Sequence, residues 1–159
     1  MFKEYLKVQN NKLTSSVKIP ADSAIMEMAG PILLDREIIV TDYSSYLQIG
    51  PNTFLGPSGD IGDSLGHSCE PNCRLHVVGN RAILFSLYVI AAGSELNIDY
   101  STTSTDTVGE WSMQCNCGHS KCRRIISGHH YLSDDIKEKY KDNNMFPLYI
   151  LAPSLITKR

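Results

Sequence analysis

Gly66-His67-Ser68-Cys69-Glu70-Pro71-Asn72-Cys73 is the stretch on which the reading of the fold turns. Taken alone it reads as a polar turn in which His67 and Cys69 are buried. A cysteine nucleophile with His67 as its base does not follow, because a residue two positions away on an extended chain points to the opposite face. Before the string, Gly50, Pro51, Gly56, Pro57, Gly59, Gly62 and Gly66 predict a turn-rich loop region. After it, Leu75 to Val78, Gly79-Asn80 and Arg81 to Ile90 predict a β-hairpin with a two-residue turn. Gly93-Ser94 closes the next turn, and Leu96, Ile98 and Tyr100 then alternate with polar residues as in a half-buried strand. Residues 101–109 read as a Ser/Thr/Asp-rich linker. Upstream, Ile25 to Leu34 predicts one or two strands ending near Gly30-Pro31. One helix is predicted after Ser133 as N-cap, with Asp134 and Asp135 at its positive end and Ile136 and Tyr140 one turn apart. The class is mostly β.

The 159 residues suit one ordinary domain, and 42% hydrophobic against 20% charged residues is a globular composition. A net charge of −2 gives no positive field for nucleic acid, so no direct nucleic-acid partner is expected. Residues 1–63 hold 5 basic and 8 acidic groups, a mild acidity that does not repel a basic peptide. Phe146 to Ile156, the longest apolar stretch, is too short to span a bilayer and contains Pro147 and Pro153. Met1-Phe2-Lys3-Glu4-Tyr5 has no apolar run of signal-peptide length. A soluble, intracellular protein with no membrane partner is expected.

Five cysteines are an odd number, and three crowd into Cys115-x-Cys117-x4-Cys122. That pattern points to metal chemistry in a reducing compartment rather than a disulfide framework. Zn²⁺ takes four ligands in a tetrahedron, and Gly118 allows the chain to turn between them. The fourth ligand is open between His119 and His129 nearby and Cys69 and Cys73 far away. A thioredoxin-type redox site is disfavoured, because the spacing is not Cys-x-x-Cys and no βαβ pattern surrounds it.

With Glu95-Leu96-Asn97-Ile98-Asp99-Tyr100 and the cysteine cluster, the 66–73 string closely resembles the SET-domain protein lysine methyltransferases. That family carries Asn-His-Ser-Cys-x-Pro-Asn, then Glu-Leu-x-x-Asp-Tyr, then a post-SET Cys-x-Cys-x4-Cys. Ile19 to Ile32 also looks like its N-terminal strands, so the resemblance runs from Asn10 to Ile126. It implies a fold of small β-sheets in which 95–100 threads beside 66–72 as a pseudoknot, an exception to the avoidance of threading. It divides the chain into a SET domain at 1–110, a post-SET zinc segment at 111–130 and a C-terminal helix and tail at 131–159.

The same resemblance implies methyl transfer from S-adenosylmethionine to a lysine of a protein or peptide, a histone or another. Tyr100 falls at the catalytic tyrosine. The cofactor would lie against Asn11, Lys12, Leu13, Gly66, His67, Tyr100 and Ile126. Tyr43, Tyr46 and Ile98 would line the lysine channel, where Ile98 in place of Phe or Tyr leaves room for more than one methyl group. Cys69 would complete the zinc site of Cys115, Cys117 and Cys122, with Cys73 spare. Trp111 reads as a hydrophobic anchor. Three positions depart from the family pattern: Gly66 replaces its cofactor-binding Asn, Asn10-Asn11-Lys12 replaces its Gly-x-Gly loop, and Arg124 replaces a glycine. These departures carry the alternative reading, a zinc-stabilised binding module that kept the fold and lost the cofactor.

Overall fold

The computed structural model describes residues 1–38, 45–105 and 111–153. Tyr43 lies outside the described residues. The strands are short, as the dense turn punctuation predicts. In chain order they are β1 (Leu6–Gln9), β2 (Lys12–Ser15), β3 (Ala24–Glu27), β4 (Ile32–Leu34), β5 (Leu47–Gly50), β6 (Thr53–Leu55), β7 (Gly66–His67), β8 (Cys73–Val78), β9 (Arg81–Ser86), β10 (Asn97–Ile98), β11 (Ser112–Gln114) and β12 (Ile125–Ser127). Two α-helices follow, α1 (Asp134–Asp142) and α2 (Leu148–Leu151).

Three antiparallel units make the frame. β1 and β2 form a hairpin whose turn residues, Asn10 and Asn11, have φ of 53° and 61°. Asparagine tolerates that left-handed geometry, so the turn forms without the family's glycines. β3-β9-β8 is a three-stranded sheet with β9 central, and β8 and β9 pair from Cys73↔Ser86 to Val78↔Arg81 around the Gly79-Asn80 turn. β4-β6-β5 is the second three-stranded sheet. β9 stops at Ser86 rather than running to Ile90: the Ser86 hydroxyl donates to Pro20 O at 2.6 Å, and Ile90 returns only as an isolated bridge to Ile19. Leu13, Leu75, Leu84, Leu96 and Ile98 are buried between these units. Each such side chain contributes about 1.5–3 kcal/mol on burial.

β7 and β10 pair in parallel, Asn97 with Gly66 and Ile98 with His67. Asn72 locks the crossing: its side-chain amide donates to Glu95 O at 2.7 Å, and its carbonyl oxygen accepts the Asn97 N–H at 3.0 Å. The segment 95–100 therefore lies beside 66–72, as the pseudoknot requires.

The strand expected through Tyr100 ends at Ile98. Asp99 is fully buried instead of facing outward, and its carboxylate accepts the Ser101 N–H at 3.0 Å, capping a 3₁₀ turn over Tyr100–Thr102. Residues 101–104 are likewise buried rather than a linker. The Thr102 hydroxyl donates to Asp99 O at 2.7 Å, so the polar side chains satisfy the turn's own backbone.

Helix α1 begins after Ser133 as predicted and buries Tyr140 in a second cluster with Leu132, Met145 and Phe146. No helix among the described residues is long and apolar enough to cross a membrane.

Candidate functional site

The β7–β10 pairing carries Tyr100 to His67: the rings lie 5.3 Å apart, and the Tyr100 N–H donates to His67 Nδ1 at 3.2 Å. A ring nitrogen that accepts carries no proton, so the neutral imidazole has its hydrogen on Nε2. That atom lies 3.4 Å from Cys69 Sγ. Burial pushes the imidazole down to about 4, against the pull of Asp99, so His67 is neutral near pH 7. The Tyr100 hydroxyl donates to Leu65 O at 2.7 Å. Burial, with the Glu95 charge nearby, pushes this phenol above its ordinary value. Tyr100 therefore acts as an oriented O–H and not as a phenolate.

A cavity of about 370 Å³ opens beside this hydroxyl, lined in part by Tyr46, Leu47, Leu65, Ile98, Tyr100 and Trp111. Tyr46 and Ile98 thus line the same cavity as Tyr100. Trp111 stands in the cavity wall, its indole N–H donating to Ser104 Oγ at 2.5 Å.

The four sulfurs of Cys69, Cys115, Cys117 and Cys122 lie within 4.8 Å of one another. The Cys69–Cys115 separation is 3.7 Å. A tetrahedron with Zn–S of ~2.3 Å has edges of ~3.8 Å, and an all-sulfur donor set suits Zn²⁺. The residues present therefore fit the ion. Gly118, at φ 77°, makes the turn between Cys117 and Cys122. Cys73 is buried in the main core, and His119 and His129 are outside the sulfur cluster. Arg124 sits at φ 67°, a backbone geometry that favours the glycine it replaces.

Asp99 is the functional residue that the strand pattern hides. Arg123 grips both its oxygens, Nη1 to Oδ2 at 2.5 Å and Nη2 to Oδ1 at 2.8 Å. Tyr140 donates to Oδ2 at 2.6 Å, and His67 Nδ1 lies 3.6 Å from Oδ1. Burial works against this charge, but the Arg123 hydrogen bonds and charge outweigh it and hold the carboxyl below its ordinary range. The Arg123 backbone N–H donates to Cys69 Sγ at 3.4 Å. Asp99 thus joins the Tyr100 turn, the cysteine cluster and α1. No alternation pattern announces it; the local signal is its place as the Asp of the Glu-Leu-x-x-Asp-Tyr string.

The remaining expected cofactor residues separate into groups. The Lys12 ammonium pairs with Glu95 Oε2 at 2.7 Å. A Cβ added at Gly66 would lie 2.9 Å from Glu95 Oε1, so Lys12, Glu95 and Gly66 adjoin. Ile126 is buried with Cys69 and Cys115, next to Tyr100. Asn11 is exposed in the β1–β2 turn. Leu13 turns its side chain into the core, and its carbonyl accepts the Leu96 N–H at 2.7 Å, so neither side chain nor carbonyl faces a ligand.

A family model described as SET domain matches residues 11–101. Histone-lysine N-methyltransferase ASHH2 of Arabidopsis thaliana is 35% identical over 100 residues, 60% of this chain and 6% of that protein. Probable histone-lysine N-methyltransferase set-23 of Caenorhabditis briggsae is 37% identical over 81 residues, 46% of this chain and 33% of that one. This chain thus spans a third or less of the length of these two relatives. Among solved structures, KRYPTONITE in complex with mCHG DNA and SAH superposes with a TM-score of 0.60 at 26% identity, covering 72% of this chain and 26% of that one.

Proposed function

The chain belongs to the SET-domain family, and from that premise we propose that it transfers a methyl group from S-adenosylmethionine to the side-chain amine of a lysine in a protein or peptide. The observation that carries this reading is the Tyr100 hydroxyl fixed on Leu65 O at the wall of a cavity that Ile98 and Trp111 also line. The names of the relatives, histone-lysine N-methyltransferases, make a histone tail the first substrate class to test.

S-adenosylmethionine supplies an electrophilic sulfonium methyl group. The protein's part is to present a neutral amine in line and to keep water out. A lysine ammonium has a reference pKa of ~10.4. The Leu65, Ile98 and Trp111 side of the cavity disfavours its charged form, against the pull of Asp63 elsewhere in the wall, so an amine seated beside Ile98 releases its proton to solvent as it enters. With its hydrogen committed to Leu65 O, Tyr100 Oη presents lone pairs that accept from the amine N–H and orient it. Ile98 offers no hydroxyl to hold a water there, which leaves space for more than one methyl group.

The donor side comprises Asn11, Lys12, the Leu13 backbone N–H, Gly66, His67, Tyr100 and Ile126. Cys69, Cys115, Cys117 and Cys122 would hold zinc, which supplies a structural tie between the 111–130 segment and the 66–73 loop. Residues 1–110 then act as the SET domain, 111–130 as the post-SET segment, and 131–159 as the C-terminal helix and tail. An intracellular setting, in which thiols stay reduced, agrees with this chemistry.

A second reading rests on Gly66, where the Glu95–Lys12 pair occupies the space next to the missing Asn side chain. On that reading the chain is a zinc-stabilised binding module that takes no donor. Calorimetry with S-adenosylmethionine and its demethylated product separates the two. Binding, with labelled methyl transfer to a histone panel that is lost in Tyr100→Phe, supports the enzyme. No binding and no transfer overturn it.

A further inference from the structure

Helix α1 follows the cysteine cluster and lies outside the residues that the family model matches, yet it reaches into the site. Tyr140, 1% exposed, donates to Asp99 Oδ2 at 2.6 Å, and its oxygen lies 3.5 Å from Cys69 O. The preceding residue, Lys139, places its ammonium 2.8 Å from Glu70 Oε2. One turn of helix therefore holds both strings of the site, 66–73 through Lys139 and 95–100 through Tyr140.

Asp99 holds one of the groups that reach the Cys69 sulfur. Arg123 is fixed by its two-armed grip on Asp99 and turns its backbone N–H to Sγ at 3.4 Å. His67 reaches Cys69 Sγ with Nε2, while its Nδ1 accepts the Tyr100 N–H and so donates no hydrogen bond to Asp99. A fully buried carboxylate needs every acceptor position filled. If the Tyr140 donor is removed, Oδ2 keeps only Arg123, and the guanidinium shifts to cover the gap. The residue disturbed first is then the one whose backbone N–H faces the sulfur.

We infer that Tyr140 is a positioning residue of the methyl-transfer and zinc site: by hydrogen bonding to Asp99 it fixes Arg123 against Cys69, which makes helix α1 a structural part of that site. The inference rests on the proposed function, in that it takes the four cysteines as zinc ligands and Tyr100 as the reacting centre. It adds a residue that neither the SET-domain match nor the cysteine pattern assigns.

The test is zinc release from the full chain to excess chromophoric chelator, measured alongside methyl transfer. It compares wild type with Tyr140→Phe at a temperature where circular dichroism shows both folded. Phenylalanine keeps the ring packed against Leu132, Met145 and Phe146. Tyr149→Phe is the control, since it removes another buried hydroxyl of the C-terminal segment, one that bonds to Thr103 O at 2.7 Å and faces Gln48 O at 2.9 Å instead of the Asp99 carboxylate. Tyr140→Phe is expected to release zinc about tenfold faster and to lower kcat about tenfold, with both KM values within about twofold. Tyr149→Phe is expected to lower Tm and keep the wild-type release rate.

Equal release rates in Tyr140→Phe and wild type overturn the inference, whether or not the chain methylates. A chain that takes up no zinc overturns it too. Faster release from a chain that transfers no methyl group supports the role of Tyr140 and overturns the enzymatic reading alone. If Tyr140→Phe does not fold, 3-fluorotyrosine at position 140, a stronger donor of nearly the same shape, is expected to slow release, and an unchanged rate overturns the inference.

Discussion

His67 receives the Tyr100 backbone N–H on one ring nitrogen and turns the other towards Cys69 Sγ, 3.4 Å away. One neutral imidazole thus spans the distance between Tyr100 and the cysteine cluster. Its value of about 4 in the folded chain lies below the unfolded value of 6.5. From pH 6.5 down to about 4 the unfolded chain therefore binds a proton that the folded chain refuses. Stability falls with falling pH in that window and is restored as pH rises through it. His67→Asn removes this proton, while cysteine protonation is common to both proteins. Chemical unfolding across the window should show the wild-type slope steeper by one proton, about 1.4 kcal/mol per pH unit. Parallel curves would show that His67 is charged in the folded chain.

Tyr100→Phe removes the hydroxyl and leaves the ring against His67. Loss of a preoriented polar group at a reacting centre costs about a hundredfold or more in rate. The lost bond to Leu65 O costs only about 1 kcal/mol of stability. Single-turnover methyl transfer should therefore collapse, while the Tm moves by a few degrees. A Tyr100→Phe protein within tenfold of wild-type rate would remove Tyr100 from the chemistry.

Cysteine variants separate the ligands from the bystander. Cys69→Ser should lower zinc content from one ion per chain and, with it, donor affinity, because the 111–130 segment loses its tie to the 66–73 loop. Cys73→Ser should keep one zinc and lose about 1–3 kcal/mol of stability, since it buries a hydroxyl in the main core. Zinc analysis and chemical denaturation read both. Full donor affinity in chelator-treated protein would contradict the tie.

Gly66→Asn restores the family's side chain. Gly66 needs no left-handed backbone, and the atom nearest its would-be Cβ is the flexible end of Glu95. Glu95 then swings away and the exposed Lys12 pair weakens, at a cost of about 1 kcal/mol or less. A regained hydrogen bond to the donor is worth about 1 kcal/mol or more, so calorimetry should show affinity rise several-fold to tenfold. Unchanged or weaker binding would mean that the Lys12–Glu95 pair already serves the donor.

Arg124→Gly relieves a side chain held at φ 67°. Left-handed geometry costs a non-glycine residue about 1–2 kcal/mol, partly offset by the greater entropy of an unfolded glycine. A net gain of up to about 1 kcal/mol in unfolding free energy is expected, and a loss would show that the Arg124 side chain makes a compensating contact.

The strings at 66–73, 95–100 and 115–122 were legible because residue types that bear chemistry stand at fixed short spacings. Even so, spacing left four candidates for the last zinc ligand, and only the family resemblance selected Cys69. Asp99 escaped because alternation about Leu96, Ile98 and Tyr100 turns it outward. What buries it is Arg123 and Tyr140, 24 and 41 positions along the chain, and no local pattern encodes such partners. Ser101 to Ser104 misled in the same way: composition suggested a linker, while hydrogen bonds to their own turn let them sit inside. Leu13 matched the cofactor loop by position, but β2, buried from Leu13 to Ser15, turns its side chain into the core.

The Tyr149 hydroxyl meets Gln48 O across 101 positions, and Tyr140 meets Asp99 across 41. Contacts this distant along the chain must close large loops before they repay the entropy, which slows folding. A nascent chain emerging from the ribosome therefore lacks the groups that complete Asp99 until α1 has been synthesised. Tyr100 is translated before Arg123 and Tyr140, so the turn that Asp99 caps acquires its buried partners only once α1 has been made.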